Sequence, residues 1–470
     1  MKIEQNKNLP WYKGLDPYCW LVLVIAALGW LFDTMDQNLF NLVRSPSVRD
    51  LLSNEISDPV QLEMEANRIG PLITAMFLVG WSVGGFVFGI LGDRLGRTRT
   101  MIITILIYAG FTGLSALAWN WQSYGFLRFM TGLGVGGEWA AGAAIVAEVF
   151  PDRSRPMALG LLQALSAVGN MMAAGITFFL AGLSWRWVYV VGAFPALLVF
   201  WIRRSIREPE KWQQAKEKAS LGKELGAIGD IFLDPKLRRN TVAALMMAVA
   251  GQGALWGIGF FSVDLLLTVL DKFSLPVADI DRTKSIMFLV QNIGAMVGIY
   301  IFAVFSERTN RRTAFFLWFG LGCLAIRVFF WGVAFASTIV LPIAVDNTLS
   351  VLTFSSGLPE GARTSIQIAT ILAFFLGFAT LGPFSGYTVY FPELYPTRLR
   401  ATGCGICYNG GRFLAALAPF ALGALSNHFA GSGAVARGLP LAATCVSVVY
   451  LLGFIGTALG PETKGQPLPE

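Results

Sequence analysis

The chain has 470 residues, 55% of them apolar and 14% charged, with a formal net charge of +7. So little charge cannot coat a water-facing surface of this size, which excludes an ordinary soluble enzyme. The basic excess does not point to nucleic acid either, because Lys and Arg concentrate in alternate loops rather than in a stripe interleaved with exposed aromatics.

The first eighteen residues are polar, and the first apolar run is long, carries Asp33 and Asp36 and lacks a small-residue cleavage site. A retained span is therefore expected, not a removed leader. Runs of roughly 20 apolar residues, enough to cross a hydrocarbon core of about 30 Å as helices, lie near 18 to 43, 71 to 91, 100 to 119, 124 to 148, 157 to 182 and 186 to 202. A second set lies near 240 to 268, 285 to 305, 313 to 335, 365 to 390, 400 to 426 and 436 to 459. The expected architecture is an all-α membrane protein of twelve transmembrane helices in two pseudo-symmetric six-helix bundles. Residues 1–202 form the first bundle and 240–470 the second. The polar stretch 203–239 reads as a connector with short amphipathic helices. Residues 44–69 read as a loop or short helix, and 336–364 leaves its helix boundary open. Basic residues gather in the loops on the side of the termini, so both termini are expected in the cytoplasm, with the chain in the inner (cell) membrane.

Internal duplication supports two halves. AEVFPDRSR (Glu148, Phe150, Pro151, Arg153, Arg155) and PELYPTRLR (Glu393, Tyr395, Pro396, Arg398, Arg400) share one pattern and both fall where an apolar run ends. GDRLGRTRT, with Asp93, Arg94 and Arg97, has a weaker echo in SERTNRRT, with Glu307, Arg308 and Arg311. Duplicated halves of apolar helices imply a path between them.

Glycines at 80, 84, 85, 89 and 92 put small residues on one helix face and permit close helix approach. TGLGVGGEW, from Thr131 to Trp139, superficially matches a phosphate loop. It has no preceding strand and lies inside an apolar span, so it reads as helix packing. The five cysteines fall within or beside spans, and Cys404 and Cys407 form a C-x-x-C with no second ligand pair nearby. With one histidine, His428, and no nucleophile beside a base, neither a metal site, a prosthetic group nor an enzyme is expected.

A charged side chain at a helix centre costs about 2.5 to 3.5 kcal/mol on insertion scales, so intramembrane charges are functional candidates. Asp33 and Asp36, at i and i+3, share a helix face, and Arg128 and Glu138 lie deep in the fourth span. These four are the expected proton-coupling group, with Asp36 or Asp33 pairing with Arg128 when deprotonated. Arg412 and Arg327 are similarly deep in the eleventh and ninth spans. A cytoplasmic gate is expected from Asp93, Arg94, Arg97, Glu148, Arg153, Glu307, Arg308, Arg311, Glu393 and Arg398, with Glu148, Glu393 and the arginines beside them forming inter-helix ion pairs that latch one conformation.

These motifs resemble the major facilitator superfamily over essentially the whole chain. GDRLGRTR looks like its signature loop between helices two and three, and SERTNRRT like the second-half counterpart, with Asn310 in place of Gly. AEVFPDRSR, PELYPTRLR, REPEKW and PETKG are similar to marks of the sugar-porter branch, and Arg128 sits where that branch carries an arginine in helix four. GGEW around Glu138 looks more like metabolite:proton and sialate:proton symporters. FDTMD is similar to the D-G-x-D of aromatic-acid:proton symporters, with Thr34 replacing the glycine. The resemblance implies two bundles rocking about a central site.

The resulting expectation is a proton-coupled symporter of a small organic anion, working by alternating access as a monomer. Arg412, with Arg128 second, would meet the carboxylate, and Gln163, Asn170, Gln252, Gln291 and Asn409 would make polar contacts. The alternatives are a sugar or polyol transporter and a non-transporting membrane receptor on the same fold.

Overall fold

The computed structural model describes residues 10–469 apart from 54, 181–182, 198–200, 203–204, 220–224, 256–260, 416 and 431–434. Among these the chain is helical throughout, with no strand. Helices α1 to α6 run Pro17–Leu52, Pro59–Leu95, Arg97–Ser115, Trp121–Val149, Arg155–Phe179 and Trp185–Gly192. Short helices α7 (Glu210–Ala219) and α8 (Ile228–Leu233) follow, then α9 (Pro235–Ala254), α10 (Phe261–Leu270), α11 (Val277–Arg308) and α12 (Arg311–Phe335). The chain continues with α13 (Ile343–Leu352), α14 (Glu360–Leu394), α15 (Arg400–Ala415), α16 (Ala418–Ala430), α17 (Val435–Val446) and α18 (Tyr450–Leu459). Eight helical stretches among the described residues are long and apolar enough to cross a membrane by length and composition.

Polar side chains set several of the starts. Asp16 accepts from the Tyr18 N–H at 2.8 Å ahead of Pro17, and Asp58 accepts from Gln61 at 3.0 Å ahead of Pro59. Asn120 and Ser123 form a reciprocal cap on α4. The Asp58 cap, with the continuation of α1 to Leu52, corrects the reading of 44–69 as a loop or short helix. Helix α1 continues through Pro46 to Leu52 and α2 begins at Pro59, leaving residues 53–58 between them. Helical periodicity outlasts the apolar stretch because a helix projecting past the lipid no longer needs an apolar surface. Within the expected spans 240–268 and 400–426, residues 256–260 and 416 lie outside the described ones, while 436–459 carries a 3-10 turn at Ser447–Val449 between α17 and α18 and still reads as one membrane-length stretch, Gly438–Leu459. The open segment 336–364 holds the separate helix α13, with α14 starting at Glu360.

Two compact units emerge. The first comprises Met1–Val242 with Tyr387–Phe413 and Thr463–Glu470, and the second comprises Ala243–Gly386 with Leu414–Glu462. In the first, α2 and α4 touch backbone to backbone. A Cβ built on Gly84 would lie 1.9 Å from the Leu133 carbonyl oxygen, and one on Gly136 would lie 2.0 Å from that of Trp81. TGLGVGGEW is thus a packing element, and no side-chain movement can relieve these clashes. Gly84→Leu is expected to abolish monodisperse protein on size exclusion, whereas Gly110→Ala, with nothing within 4 Å of its added Cβ, is expected to leave the profile unchanged.

At the far end of α1, Asp50 accepts from Arg186 at 2.6 Å and from the Trp185 indole at 2.9 Å. Partial burial raises its carboxyl, but these bonds outweigh that and hold it below the usual aspartate range. A lowered folded value gives stability that is present above the unfolded pKa, near 3.9, and lost as pH falls through the folded value. Asp50→Asn is expected to melt slightly below the parent at pH 7, with the gap closing below about pH 4.

Candidate functional site

Glu307, Arg308, Arg311 and Arg327 lie in the second unit, and the functional charges predicted in the first unit fall into three clusters. The first lies at the Gly96 end of α2 and α3. Asp93 pairs with Arg97 at 2.7 Å, and Arg97 pairs with Glu148 at 2.9 Å. Glu148 also pairs with Arg400 at 2.8 Å, all with side chains fully shielded. Asp93 accepts the backbone N–H groups of Ala401 and Thr402 at 3.2 and 2.8 Å, at the start of α15. Glu148 thus forms its ion pairs between helices. Its partners are Arg97 and Arg400, drawn from two other signatures, because the turn after α4 carries Arg153 to the Pro10 carbonyl and Arg155 to Asp152. Glu393 accepts from the Thr463 hydroxyl at 2.6 Å. Arg94 donates to the Leu225 carbonyl, and Arg398 pairs with Asp230 at 2.5 Å.

Glu148→Ala leaves Arg400 buried with no carboxylate, a loss of about 3–5 kcal/mol for a broken buried pair. It is expected to lower the melting temperature by several degrees in detergent, measured by differential scanning fluorimetry.

Two residues of this region went unassigned in the sequence reading. Glu208, in REPEKW, accepts the N–H groups of Arg97, Thr98 and Arg99 at 2.7 to 3.2 Å. It thereby caps a helix whose own N-cap, Gly96 at φ +114°, has no side chain to do so. In the second unit, Glu462 of PETKG accepts from Arg311 and Arg312 at 3.1 Å each, while Arg311 pairs with Glu307 at 3.2 Å. Each unit therefore caps its signature helix with a glutamate next to a proline. The signal in the sequence is a glutamate adjoining a proline after each half, Glu208 before Pro209 and Glu462 after Pro461. Arg308 is exposed at the end of α11.

The second cluster is Asp36 with Arg128, both side chains fully buried, at 3.8 Å. Thr112 donates to Asp36 at 2.7 Å, Arg128 donates to the Ser115 hydroxyl at 2.6 Å, and its guanidinium lies 4.5 Å from the Tyr189 ring centre. The ion pair is at charge-pairing distance without a direct hydrogen bond, since Asp36 Oδ2 and one Arg128 terminal nitrogen lack partners. Of the two aspartates, the structure pairs Asp36 with Arg128.

The third cluster holds Asp33, Glu138 and Arg412. Asp33 and Glu138 are 0% and 1% exposed, and none of their four carboxylate oxygens has a hydrogen-bond donor among the described residues. Gly29, one turn before Asp33, makes the room. A Cβ there would lie 2.0 Å from Glu138 Oε1. The two carboxyls lie close enough for their charges to bear on each other, and Arg412 is close enough for its charge to bear on Asp33. Arg412 is 4% exposed, donates to Asn409 at 3.0 Å, and lies 3.7 Å from the Trp81 ring centre and 4.9 Å from that of Tyr408. No carboxylate among the described residues comes within salt-bridge distance of it, and its Nε has no partner.

The remaining predicted contacts separate. Asn409 joins Arg412, and Gln163 accepts from the Trp139 indole at 3.3 Å and from Thr388 at 3.1 Å. Asn170 instead accepts from Asn38 at 2.6 Å, a packing contact between α1 and α5. Gln252 and Gln291 are buried in the second unit, where Ser262 donates to Gln291. Arg327 donates to Cys323 one turn back on its own helix. Cys404 and Cys407 are buried free thiols, with Cys407 against the Tyr395 hydroxyl, and the described residues hold no cluster suited to a metal.

Residues 60–362, more than half of the chain, match the sequence profile of the Major Facilitator Superfamily. The chain belongs to this family. A probable 4-methylmuconolactone transporter of Cupriavidus pinatubonensis is 27% identical over 460 residues, covering 97% of this chain and 93% of the relative. The sialic acid transporter NanX of Escherichia coli is 26% identical over 445 residues, covering 94% and 96%. The solved proton:xylose symporter XylE, bound to 6-bromo-6-deoxy-D-glucose, superposes with a TM-score of 0.68 at 16% identity, covering 96% of this chain and 98% of that one. This likeness is one of fold. The superfamily member described here is accordingly an all-α, multi-pass membrane protein with the twelve-helix arrangement, a secondary transporter of small molecules and not an enzyme.

Proposed function

We propose that this transporter is a proton-coupled symporter of a small organic carboxylate, monomeric and seated in the inner membrane with both termini cytoplasmic. The observation that carries this reading is Arg412, a buried guanidinium without a carboxylate partner, beside two buried carboxyls that lack donors. A buried cation left uncompensated is costly, and a substrate anion is the natural compensation. Asp33 and Glu138 cannot both ionise cheaply at such close quarters, so together they hold one proton. That proton is released when the site opens to the low-proton side. Asp36 and Arg128 supply the second element, since protonating Asp36 frees Arg128 and biases which side the site faces. The buried network of Asp93, Arg97, Glu148 and Arg400 acts as the cytoplasmic latch. The names of the two relatives above, a muconolactone and a sialic acid transporter, support an organic acid over a sugar.

A thermal-shift panel of acids, sugars and amino acids at pH 5.5 and 7.5 tests this reading. A carboxylate is expected to raise the melting temperature of the wild type and not of Arg412→Gln. A sugar that stabilises both proteins equally would overturn it.

A further inference from the structure

Tyr108 of α3 is fully buried, and its hydroxyl has no hydrogen-bond partner among the described residues. A phenol in a dry interior ordinarily finds one, because an unmet hydroxyl is costly there. What surrounds it is acid. Asp33, Glu138 and Asp36 all lie close enough for their charges to bear on it, with Arg412 as the cation near Asp33 and Arg128 as the cation beside Asp36. The helices explain the meeting. Thr112, one turn after Tyr108, donates to Asp36 at 2.7 Å, and Asp33 lies three residues before Asp36 on α1. Helices α1 and α3 run in the same direction, since Tyr18 and Thr98 near their starts both donate to the Arg207 carbonyl. At about 1.5 Å per residue, Tyr108 and Asp33 therefore lie about 6 and 4.5 Å before the Thr112–Asp36 bond, at nearly one level. On the α4 side, Gly134 lets the backbones touch, as a Cβ there would lie 2.6 Å from the Tyr108 nitrogen. Helical side chains lean toward the start of their own helix. For α3 that is the end α4 runs toward, as the Arg97–Glu148 pair shows, so Tyr108 leans from Gly134 toward Glu138, one turn further along α4.

We propose that the Tyr108 hydroxyl relays a proton between the two acid sites of this transporter, Asp36 and the Asp33–Glu138 pair. The inference rests on the proton-carrying roles given to those acids above and joins them into one path. Once the pair has released its proton, two carboxylates stand close together, while a protonated Asp36 leaves Arg128 without its partner. One transfer relieves both. The Asp36 O–H bond breaks as its proton bonds to the phenol oxygen, and the phenol's own O–H bond breaks as that proton bonds to an oxygen of Asp33 or Glu138. Tyr108 is neutral before and after. One negative charge passes from the pair to Asp36, where Arg128 meets it and the switch is reset. A tyrosine suits this step because its hydroxyl both donates and accepts. In this conformation it is bonded to neither site, as proton-transfer contacts often are before they tighten during turnover, and so it is committed to neither.

The test needs no transported substrate. Time-resolved infrared spectroscopy on the full chain in detergent follows the carbonyl bands of protonated carboxyls after a pH jump, with Asp33→Asn, Glu138→Gln and Asp36→Asn assigning the bands. In the wild type the bands of the pair and of Asp36 are expected to change with one shared rate. In Tyr108→Phe the slower band is expected to lag the faster by at least about tenfold, since a positioned proton carrier contributes that much or more. The phenylalanine fills the same space and removes a hydroxyl that has no partner among the described residues, so the variant is expected to melt at or above the wild-type temperature. Separate rates in the wild type, or one shared rate in Tyr108→Phe, overturn the relay. So does a variant that melts several degrees lower or fails to elute as a single species, which would mark the hydroxyl as a structural support. Carboxyl bands that follow pH and vanish in the assigning variants uphold the acids as proton carriers even where the relay fails. Bands that do not respond to pH in the wild type defeat both ideas.

Discussion

Arg412→Gln is expected to reduce carboxylate uptake into reconstituted vesicles by about 30-fold or more. Losing the partner of a buried charged hydrogen bond costs about 2–5 kcal/mol. Arg412→Lys is expected to recover little, because a lysine offers neither the planar fork nor the flat face that Trp81 stacks against. A purely structural arginine would give the same loss of uptake, so the melting temperature decides between the two roles. In the ligand-free protein this guanidinium has no carboxylate partner, and its removal relieves a desolvated charge. The glutamine variant is therefore expected to melt at or above the wild-type temperature. A fall of several degrees with the loss of uptake would mark Arg412 as a structural support.

The second large effect lies at the carboxyl pair. Asp33→Asn and Glu138→Gln are each expected to abolish accumulation driven by an inward proton gradient while leaving exchange of labelled for unlabelled substrate within about threefold of wild type. The amide keeps the volume and hydrogen-bonding capacity of a protonated carboxyl but cannot release a proton. The site then cycles when loaded, without coupling to the gradient. Counterflow and gradient-driven uptake measured on the same vesicles check this. Persistence of gradient-driven accumulation in both variants would remove the pair from the coupling step. Gly29→Ala probes the same contact from the other side, since its methyl group would displace Glu138 Oε1 from a built Cβ distance of 2.0 Å.

The helices were legible because the bilayer requires long apolar runs, and the pairs of signatures at Glu148 and Glu393 marked the duplication. The loop or short helix expected at 44–69 gives way to the ends of two long helices for a physical reason. Hydropathy reports lipid contact, whereas Asp16, Asp58 and Asn120 report helix starts, and only the caps extend past the membrane. The deep charges were visible one by one as costly residues, yet their partners were not. Asp33 and Asp36 share a face three residues apart, but one meets Glu138 and the other Arg128, a division set by Gly29 and Thr112 on the packed helices. The motif marks Glu148 as an ion-pairing residue without showing which arginines meet it, since the turn after α4 carries Arg153 and Arg155 to Pro10 and Asp152 while Arg97 and Arg400 come from other helices. Glu208 and Glu462 stood in motifs noted for resemblance alone, and their capping role appears only once the bare N-termini of α3 and α12 lie beside them.

Substrate-dependent proton movement, followed with an external pH dye around vesicles carrying either the wild type or Arg412→Gln, tests coupled carboxylate transport most directly. Addition of at least one carboxylate from a panel of acids and sugars should alkalinise the medium around wild-type vesicles as protons enter with it, and leave the medium around Arg412→Gln vesicles at the protein-free baseline. Alkalinisation by a sugar that persists undiminished in Arg412→Gln vesicles would contradict the account.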